Sequence, residues 1–149
     1  MKTTLFPLFV TCYLMISCNC NHETKSSIIG TWEPVKIKWD FLDSTVIEYP
    51  GNVSQCEALW IITETDNSYA VNYMIPPDTS FTLDFSAGPY TFDGKIFKET
   101  RTFSTDTLLI NQSFTWELQL NNDTIIISGP AEEEVQRLGC KVYEVWIRK

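Results

Sequence analysis

The feature that most constrains the fold is a two-residue alternation of apolar and polar side chains, repeated in short segments along the chain. Phe114, Trp116, Leu118 and Leu120, for example, are separated by single polar residues. Successive side chains of a β-strand point to opposite faces, so each such segment predicts a strand with one buried face. Turn residues separate the segments, which is typical of an all-β sandwich or barrel.

The first alternating segment follows Pro34, where a bulge or an edge position is expected because proline cannot donate a ladder hydrogen bond. After it, Val35, Ile37, Trp39 and Phe41 are predicted to share one face. The same reading along the chain predicts eight to ten strands, with no internal repeat and no second domain.

Two later segments predict a hairpin and a short helix. Asp93-Gly94 predicts a tight turn between two strands within residues 90–97, whereas Gly88-Pro89 predicts the end of a strand. Residues 131–138, followed by Gly139, predict a turn or two of helix before the last strand. A wide acidic loop is the alternative for this last segment.

The N-terminus has the composition of an export signal. Met1-Lys2 precedes a mostly apolar run from Leu5 to Ile16, which is too short for a membrane span of about 20 residues. Leu14-Met15-Ile16-Ser17-Cys18 resembles the bacterial lipobox, whose cysteine becomes lipid-modified and N-terminal. Ordinary signal cleavage a residue or two later is the alternative.

The resemblance implies a signal peptide at 1–17, lipid attachment at Cys18 and a polar tether at 18–27. The length of the remaining chain predicts a single domain at 28–149. Residues 19–27 are polar and lack apolar periodicity, as a flexible linker does. We therefore expect an exported protein whose N-terminal lipid anchors it to a membrane of the bacterial cell envelope. We expect an outer-membrane lipoprotein, facing either the periplasm or the cell surface.

The charge balance excludes one class of partner. The chain has 19 acidic and 11 basic residues and a formal net charge of −8. Nucleic-acid binding depends on Lys and Arg that neutralise phosphates, so no nucleic-acid partner is predicted. The same balance argues against electrostatic docking on anionic lipid headgroups.

Closure into a barrel would remove the two exposed edges that up-and-down strands otherwise leave. Gly30-Thr31-Trp32 resembles the G-x-W signature on the first strand of lipocalins, and Val145-Trp146-Ile147-Arg148 resembles the closing strand of small lipocalin-like bacterial lipoproteins. The resemblance implies a single lipocalin-like, up-and-down antiparallel barrel. It also implies that Trp32 plugs one end of the barrel and that Arg148 stacks on it.

Aromatic side chains give this barrel its main functional potential. A barrel of about eight strands either fills with side chains or holds one small ligand. A hollow barrel would bind or shuttle a small hydrophobic ligand such as a lipid or a pigment. In a filled barrel the same aromatics would only pack the core, and the protein would be an interaction or accessory module of an envelope complex. The candidate ligand-binding residues are Trp39, Phe41, Trp60, Tyr73, Phe92 and Trp116.

Catalysis is not predicted. The only histidine, His22, lies in the tether, so a Ser-His-Asp or Cys-His site within the domain is unavailable. The pairs Asp40/Asp43 and Glu132/Glu134 are expected to be solvated surface carboxylates. An acid–base enzyme would instead need an acidic residue that faces inward beside a cavity.

Cysteines leave one question open. No cofactor or metal site is predicted, because acylation of Cys18 would leave only Cys20 and His22 as soft ligands in the tether. Cys56 and Cys140 are the two cysteines of the domain. In an oxidising compartment they would either form a disulfide or remain two buried free thiols.

Overall fold

The structure, a computed structural model, describes residues 27–78 and 80–149. The predicted signal peptide, Cys18 and all but the last residue of the predicted tether lie outside the described residues. A 3-10 turn at Thr107–Leu109, a second at Glu132–Glu134 and the helix α1 (Val135–Leu138) accompany ten strands. The strands are β1 (Gly30–Phe41), β2 (Val46–Tyr49), β3 (Gln55–Ile62), β4 (Asp66–Met74), β5 (Thr82–Phe92), β6 (Ile96–Thr100), β7 (Phe103–Ser104), β8 (Ser113–Asn121), β9 (Thr124–Gly129) and β10 (Cys140–Arg148).

Eight of these strands close into an antiparallel barrel, in the order β1, β3, β4, β5, β6, β8, β9 and β10. The last strand pairs with the first, from Trp32 opposite Arg148 to Phe41 opposite Cys140. The short strand β2 pairs with the second half of β1, and β7 pairs with β5. The predictions of an all-β, up-and-down barrel and of a short helix before the last strand are confirmed.

A bulge, one of the two features expected at Pro34, is present in the first strand and explains the pattern of burial there. The pairing of β1 with β10 shifts between Pro34 and Lys36, so Val35 has no partner in β10. The extra residue lets Trp32 and Ile37, five positions apart, both face the interior, which a regular strand would forbid. Val35 is 47% exposed, so its predicted place on the buried face is wrong.

Strand β5 continues through Gly88-Pro89, where the sequence predicted a stop. Tyr90–Phe92 pair with β6, whereas Ser86 and Ala87 pair with β7. Gly88 lies at the junction, where a Cβ atom would collide with the carbonyl oxygen of Thr100. Glycine permits this close backbone approach, and the break between β6 and β7 removes the need for a Pro89 N–H on that side.

Replacing Gly88 with alanine is expected to lower the free energy of unfolding by about 2 kcal/mol, because the new methyl group must push two backbone segments apart. Urea unfolding followed by circular dichroism measures the change. Thr91→Ala, at an exposed position of the same strand, is the control and should change stability by less than about 0.5 kcal/mol. Equal stability of the two variants would contradict the close approach.

The hairpin at 90–97 is confirmed, with its turn displaced by one residue. Asp93 pairs with Ile96 through a backbone hydrogen bond of 3.3 Å, so Gly94 and Lys95 form the turn. Gly94 has φ 105°, and the Asp93 carboxylate accepts hydrogen bonds from the Lys95 and Ile96 N–H groups. The aspartate therefore closes the turn with its side chain and leaves the positive φ to glycine.

The end of the barrel where β1 begins is tightly packed. Trp32, Ile62, Ile125 and Trp146 are at most 1% exposed there. The interior is filled at this end, and the remaining space lies towards the end where Phe41 meets Cys140.

No helix in the described part of the chain has the length and apolar character of a transmembrane segment, since α1 spans four residues.

Candidate binding cavity

A cavity of about 300 Å³ occupies the barrel towards the Phe41 end of β1. Its exposed lining residues Thr82, Leu83 and Asp106 mark the opening, which we call the mouth. Five of the six predicted binding residues line the cavity, namely Trp39, Phe41, Trp60, Tyr73 and Trp116. Their participation in ligand binding stays a prediction.

The sixth predicted residue, Phe92, does not belong to the cavity lining. It lies next to the hairpin turn that follows β5, is half-buried and packs against the core. The alternation of side chains along its strand predicted that Phe92 faces inward, but it carried no information on where the residue lies along the barrel axis. Tyr69 and Phe97 line the cavity instead, although they were not among the predicted residues.

Edge-to-face contacts fix the orientation of the aromatic wall. The ring centres of Trp39 and Tyr73 are 5.4 Å apart, those of Trp60 and Phe97 are 5.5 Å apart, and both pairs are nearly perpendicular. Tyr69 makes a similar contact with Trp146 at 5.6 Å. Because such pairs are mutually stabilising, the wall is held in place before any ligand enters.

A buried glutamate, Glu144, is the main polar feature of the wall. It is 4% exposed and accepts three hydrogen bonds, from Trp39 Nε1 at 2.7 Å, Trp146 Nε1 at 2.9 Å and the Tyr69 hydroxyl at 2.9 Å. Burial raises the pKa of its carboxyl group above the ordinary value, and the three donors oppose that rise. Sequence reasoning missed Glu144, although it alternates in phase with Val142 and Trp146.

An ion pair between Glu99 and Arg101 forms a second polar part of the wall. Arg101 Nε donates to Glu99 Oε1 at 2.9 Å, and both residues line the cavity. The guanidinium also stacks over Phe114, with Cζ 4.8 Å from the ring centre. These two residues were missed as well, although they continue the inward alternation that starts at Phe97.

Carboxylates dominate the charge of the lining. The described lining residues include four acidic side chains and only one basic side chain, Arg101. Asp84 Oδ1 accepts a hydrogen bond from Thr105 Oγ1 at 3.1 Å, and Asp106 accepts one from the Leu108 N–H at 2.9 Å. The wall therefore has more charged groups than the largely apolar cavity that the sequence suggested.

The opposite end of the barrel carries the arginine–tryptophan contact that the lipocalin resemblance implied. Arg148 Cζ lies 4.3 Å from the ring centre of Trp32, which is fully buried. The guanidinium donates to the carbonyl oxygens of Ile29 at 2.8 Å and Ser27 at 2.6 Å. A Cβ on Gly30 would collide with this guanidinium, so glycine gives it room.

The structure places the predicted surface carboxylates differently from one another. Asp43 is exposed and accepts a hydrogen bond from the Thr45 N–H at 2.9 Å, and Asp40 pairs with a lysine. Glu132 is exposed. Glu134 is 8% exposed and accepts a 2.6 Å hydrogen bond from the Thr115 N–H, so the prediction of a solvated side chain is wrong there.

Of the two alternatives for the domain cysteines, the structure has two free thiols at Cys56 and Cys140. The disulfide alternative is absent from the structure for a geometric reason. Cys56 lies on β3 and Cys140 on β10, and β1 separates these strands. Strands that flank a third are about 10 Å apart, whereas a disulfide joins Cα atoms within about 7 Å.

Both thiols are expected to resist alkylation in the folded protein. Burial raises the pKa of Cys56 to about 11 and that of Cys140 to about 12, so thiolate is scarce near neutral pH. Iodoacetamide treatment with and without denaturant, followed by peptide mass spectrometry, should label both cysteines only after unfolding. Recovery of a Cys56–Cys140 cross-linked peptide would contradict the arrangement.

No group of three or more potential metal ligands occurs among the described residues. The sulfur and imidazole groups of the tether lie outside them. Comparisons with family models, with curated proteins and with solved structures return no match to this chain. The chemistry of the cavity is therefore the basis for assigning a function.

Proposed function

We propose that the protein is a non-enzymatic, lipid-anchored protein of the bacterial envelope that binds or shuttles a small, largely apolar ligand inside its barrel. The observation that carries the proposal is the 300 Å³ cavity with a wall of fixed aromatic rings. Ligand sites are usually preformed, mostly apolar clefts with a few polar groups, starting at about 300 Å³. The volume favours a compact molecule over a long acyl chain.

The position of the mouth agrees with an N-terminal membrane anchor. Arg148 holds Ser27 and Ile29 at the packed end of the barrel, whereas the mouth lies beyond the other end of β1. A lipid on Cys18 would therefore leave the mouth pointing away from the chain's point of attachment. Such an arrangement suits a protein that exchanges a ligand with the periplasm or the cell exterior.

Catalysis is the weaker proposal, although Glu144 is an acidic residue that faces inward beside the cavity. Both of its oxygens accept hydrogen bonds from donors of the core, two at Oε1 and one at Oε2. A general base must approach the proton that it removes, and it works best when its lone pairs are available to the substrate. Glu144 is better suited to positioning than to proton transfer.

A second candidate function is an interaction module for another envelope protein. Phe103 and Leu108, which flank Asp106 of the mouth in the chain, are 67% and 83% exposed. Exposed apolar groups of this kind are characteristic of contact surfaces when they form a patch. In this alternative the partner would cover the mouth, and ligand exchange would require its departure.

A pair of valine-to-phenylalanine variants tests ligand binding. Val142 lines the cavity, whereas Val35 lies in the bulge on the outside of the same barrel. We expect the neutral dye N-phenyl-1-naphthylamine to bind saturably to the original protein and to Val35→Phe. Val142→Phe should weaken binding at least tenfold, because the larger ring occupies the cavity.

Fluorescence titration measures the dye affinity, and circular dichroism checks that both variants fold. Equal binding by the two variants would place the dye outside the barrel. Absence of saturable binding to any of the three proteins would contradict the proposed function and would favour the interaction module.

A further inference from the structure

The cavity contains hydrogen-bond donors that the described residues leave unused. Arg101 is 9% exposed, and within the described residues its guanidinium makes one hydrogen bond, from Nε to Glu99. Its two Nη groups are therefore not paired with these residues, while the side chain lines the cavity. No buried side-chain nitrogen or oxygen of the described residues lacks a hydrogen-bond partner, so the Nη groups are accessible from the cavity. Charged donors placed there favour a ligand with an oxygen acceptor.

The same wall also carries negatively charged hydrogen-bond acceptors. A carboxylate has about four acceptor positions, of which Glu144 uses three and Asp84 one among the described residues. Asp84, Arg101 and Glu144 all line this one cavity, so a single small ligand inside it meets charges of both signs.

Single-charge ligands fit this cavity poorly. An anion would satisfy Arg101 but would meet a lining with four carboxyl groups and one guanidinium. A simple cation would satisfy the carboxylates but would leave the Nη groups without an acceptor. A hydrocarbon would displace water from the carboxylates and from the Arg101 guanidinium without forming a hydrogen bond to either group, which is unfavourable for buried polar groups.

We propose that the ligand is a small zwitterion of the amino-acid type with an apolar body. Its oxygen acceptor binds the guanidinium of Arg101, its ammonium group binds Asp84 and Glu144, and its apolar body lies against the aromatic wall. This assignment rests on the proposed binding function and specifies the chemical class of the ligand. The aromatic rings also favour an ammonium group near their faces.

Four probes with the same phenylethyl body separate the contributions of the ammonium group and of the carboxylate to binding. L-Phenylalanine has both charges, phenethylamine has only the ammonium, 3-phenylpropionate has only the carboxylate and 2-phenylethanol has neither. Isothermal titration calorimetry on the full domain should give an affinity for L-phenylalanine at least tenfold above that for each of the others. Affinities within threefold of one another would overturn the proposal.

Variants of the cavity wall test separately which residues bind the ammonium group and which bind the oxygen acceptor of the ligand. Asp84→Asn should weaken L-phenylalanine and phenethylamine at least fivefold and leave 2-phenylethanol unchanged. Glu57→Gln, which also removes a carboxylate but at an exposed position of β3, should change none of the affinities. Equal effects of these two variants would show only a loss of overall charge and would overturn the assignment.

The contact between Arg101 and the oxygen acceptor of the ligand needs two variants, because removing Arg101 alone leaves Glu99 buried without its ion-pair partner. Arg101→Lys keeps the charge but loses the planar fork, and Glu99→Gln/Arg101→Gln removes the pair together. Both should reduce the preference for L-phenylalanine over phenethylamine to less than threefold. A preference that survives in both folded variants would overturn the role of Arg101.

The same experiment separates failure of this inference from failure of the proposed function. Binding of 2-phenylethanol and of N-phenyl-1-naphthylamine without any preference for L-phenylalanine would overturn only the zwitterion. Absence of binding by all four probes and by the dye would overturn both.

Discussion

Replacing Glu144 with leucine is expected to lower the free energy of unfolding by about 3 kcal/mol or more, because leucine leaves the indole N–H groups of Trp39 and Trp146 and the hydroxyl of Tyr69 without an acceptor. Each unsatisfied buried donor costs about 1–3 kcal/mol. Removal of a buried carboxylate offsets part of this loss, since burial disfavours its charge. Urea unfolding, followed by far-ultraviolet circular dichroism, measures the change.

Glutamine at position 144 is the matched control, because it keeps the size of the side chain and one acceptor oxygen. That oxygen can accept from Trp39 and Tyr69, while the new NH₂ group would oppose the Trp146 N–H. Glu144→Gln should therefore cost about 1–2 kcal/mol, less than leucine. A leucine variant as stable as the glutamine variant would contradict the network.

The glutamine variant also gives the sign of a pH effect. Burial raises the pKa of Glu144 in the folded protein, so the folded state binds this proton more tightly than the unfolded chain does. The stabilising contribution is complete below the pKa of the unfolded chain and is lost as the pH rises through the folded pKa. The stability of the original protein relative to Glu144→Gln should therefore fall as the pH rises from the ordinary titration range of a glutamate through the raised folded pKa. An increase over this range would show that the three donors outweigh burial.

Replacing Trp32 with alanine is the second large effect, with an expected loss of about 3–5 kcal/mol in the free energy of unfolding. The indole is fully buried at the packed end of the barrel, donates to the Ile28 carbonyl at 2.9 Å and lies beneath the guanidinium of Arg148. Alanine would leave a cavity and an arginine without its aromatic face. Chemical denaturation with a circular dichroism readout measures the loss.

Two controls separate packing from the hydrogen bond. Trp32→Phe keeps an aromatic ring but not the N–H donor and should cost less than the alanine variant. Tyr143→Ala removes a ring from an exposed position of β10 and should change stability by about 0.5 kcal/mol or less. A loss below about 1.5 kcal/mol for Trp32→Ala would mean that Trp32 does not plug this end of the barrel.

The strands and their closure were predictable because local alternation and the need to pair sheet edges act on every segment. Gly88-Pro89 was misread for a physical reason. Proline ends a strand where the neighbouring strand requires a hydrogen bond from its missing N–H group. On one side of β5 the neighbours β6 and β7 are interrupted at this point, so no such hydrogen bond is required there. Such a break is a property of the neighbouring strands and is invisible in the local sequence.

The aromatic part of the cavity followed from the same alternation, but the charged part did not. Glu99, Arg101 and Glu144 occupy inward positions in phase with buried residues such as Phe97 and Trp146. Charged residues are rarely buried unless they are paired, so their type favoured the surface while their position favoured the interior. Partners for Glu144 come from β1, β4 and β10, and long-range contacts of this kind are decided by register.

Native mass spectrometry tests the central claim most directly. The protein should be purified from the cells that produce it, without detergent exchange, beside its Val142→Phe variant. We predict a population with one additional small mass that is released on collisional activation and is absent from the variant. A spectrum that contains only the mass of the ligand-free protein, together with no uptake of the phenylethyl probes or the dye, would contradict a ligand-binding barrel.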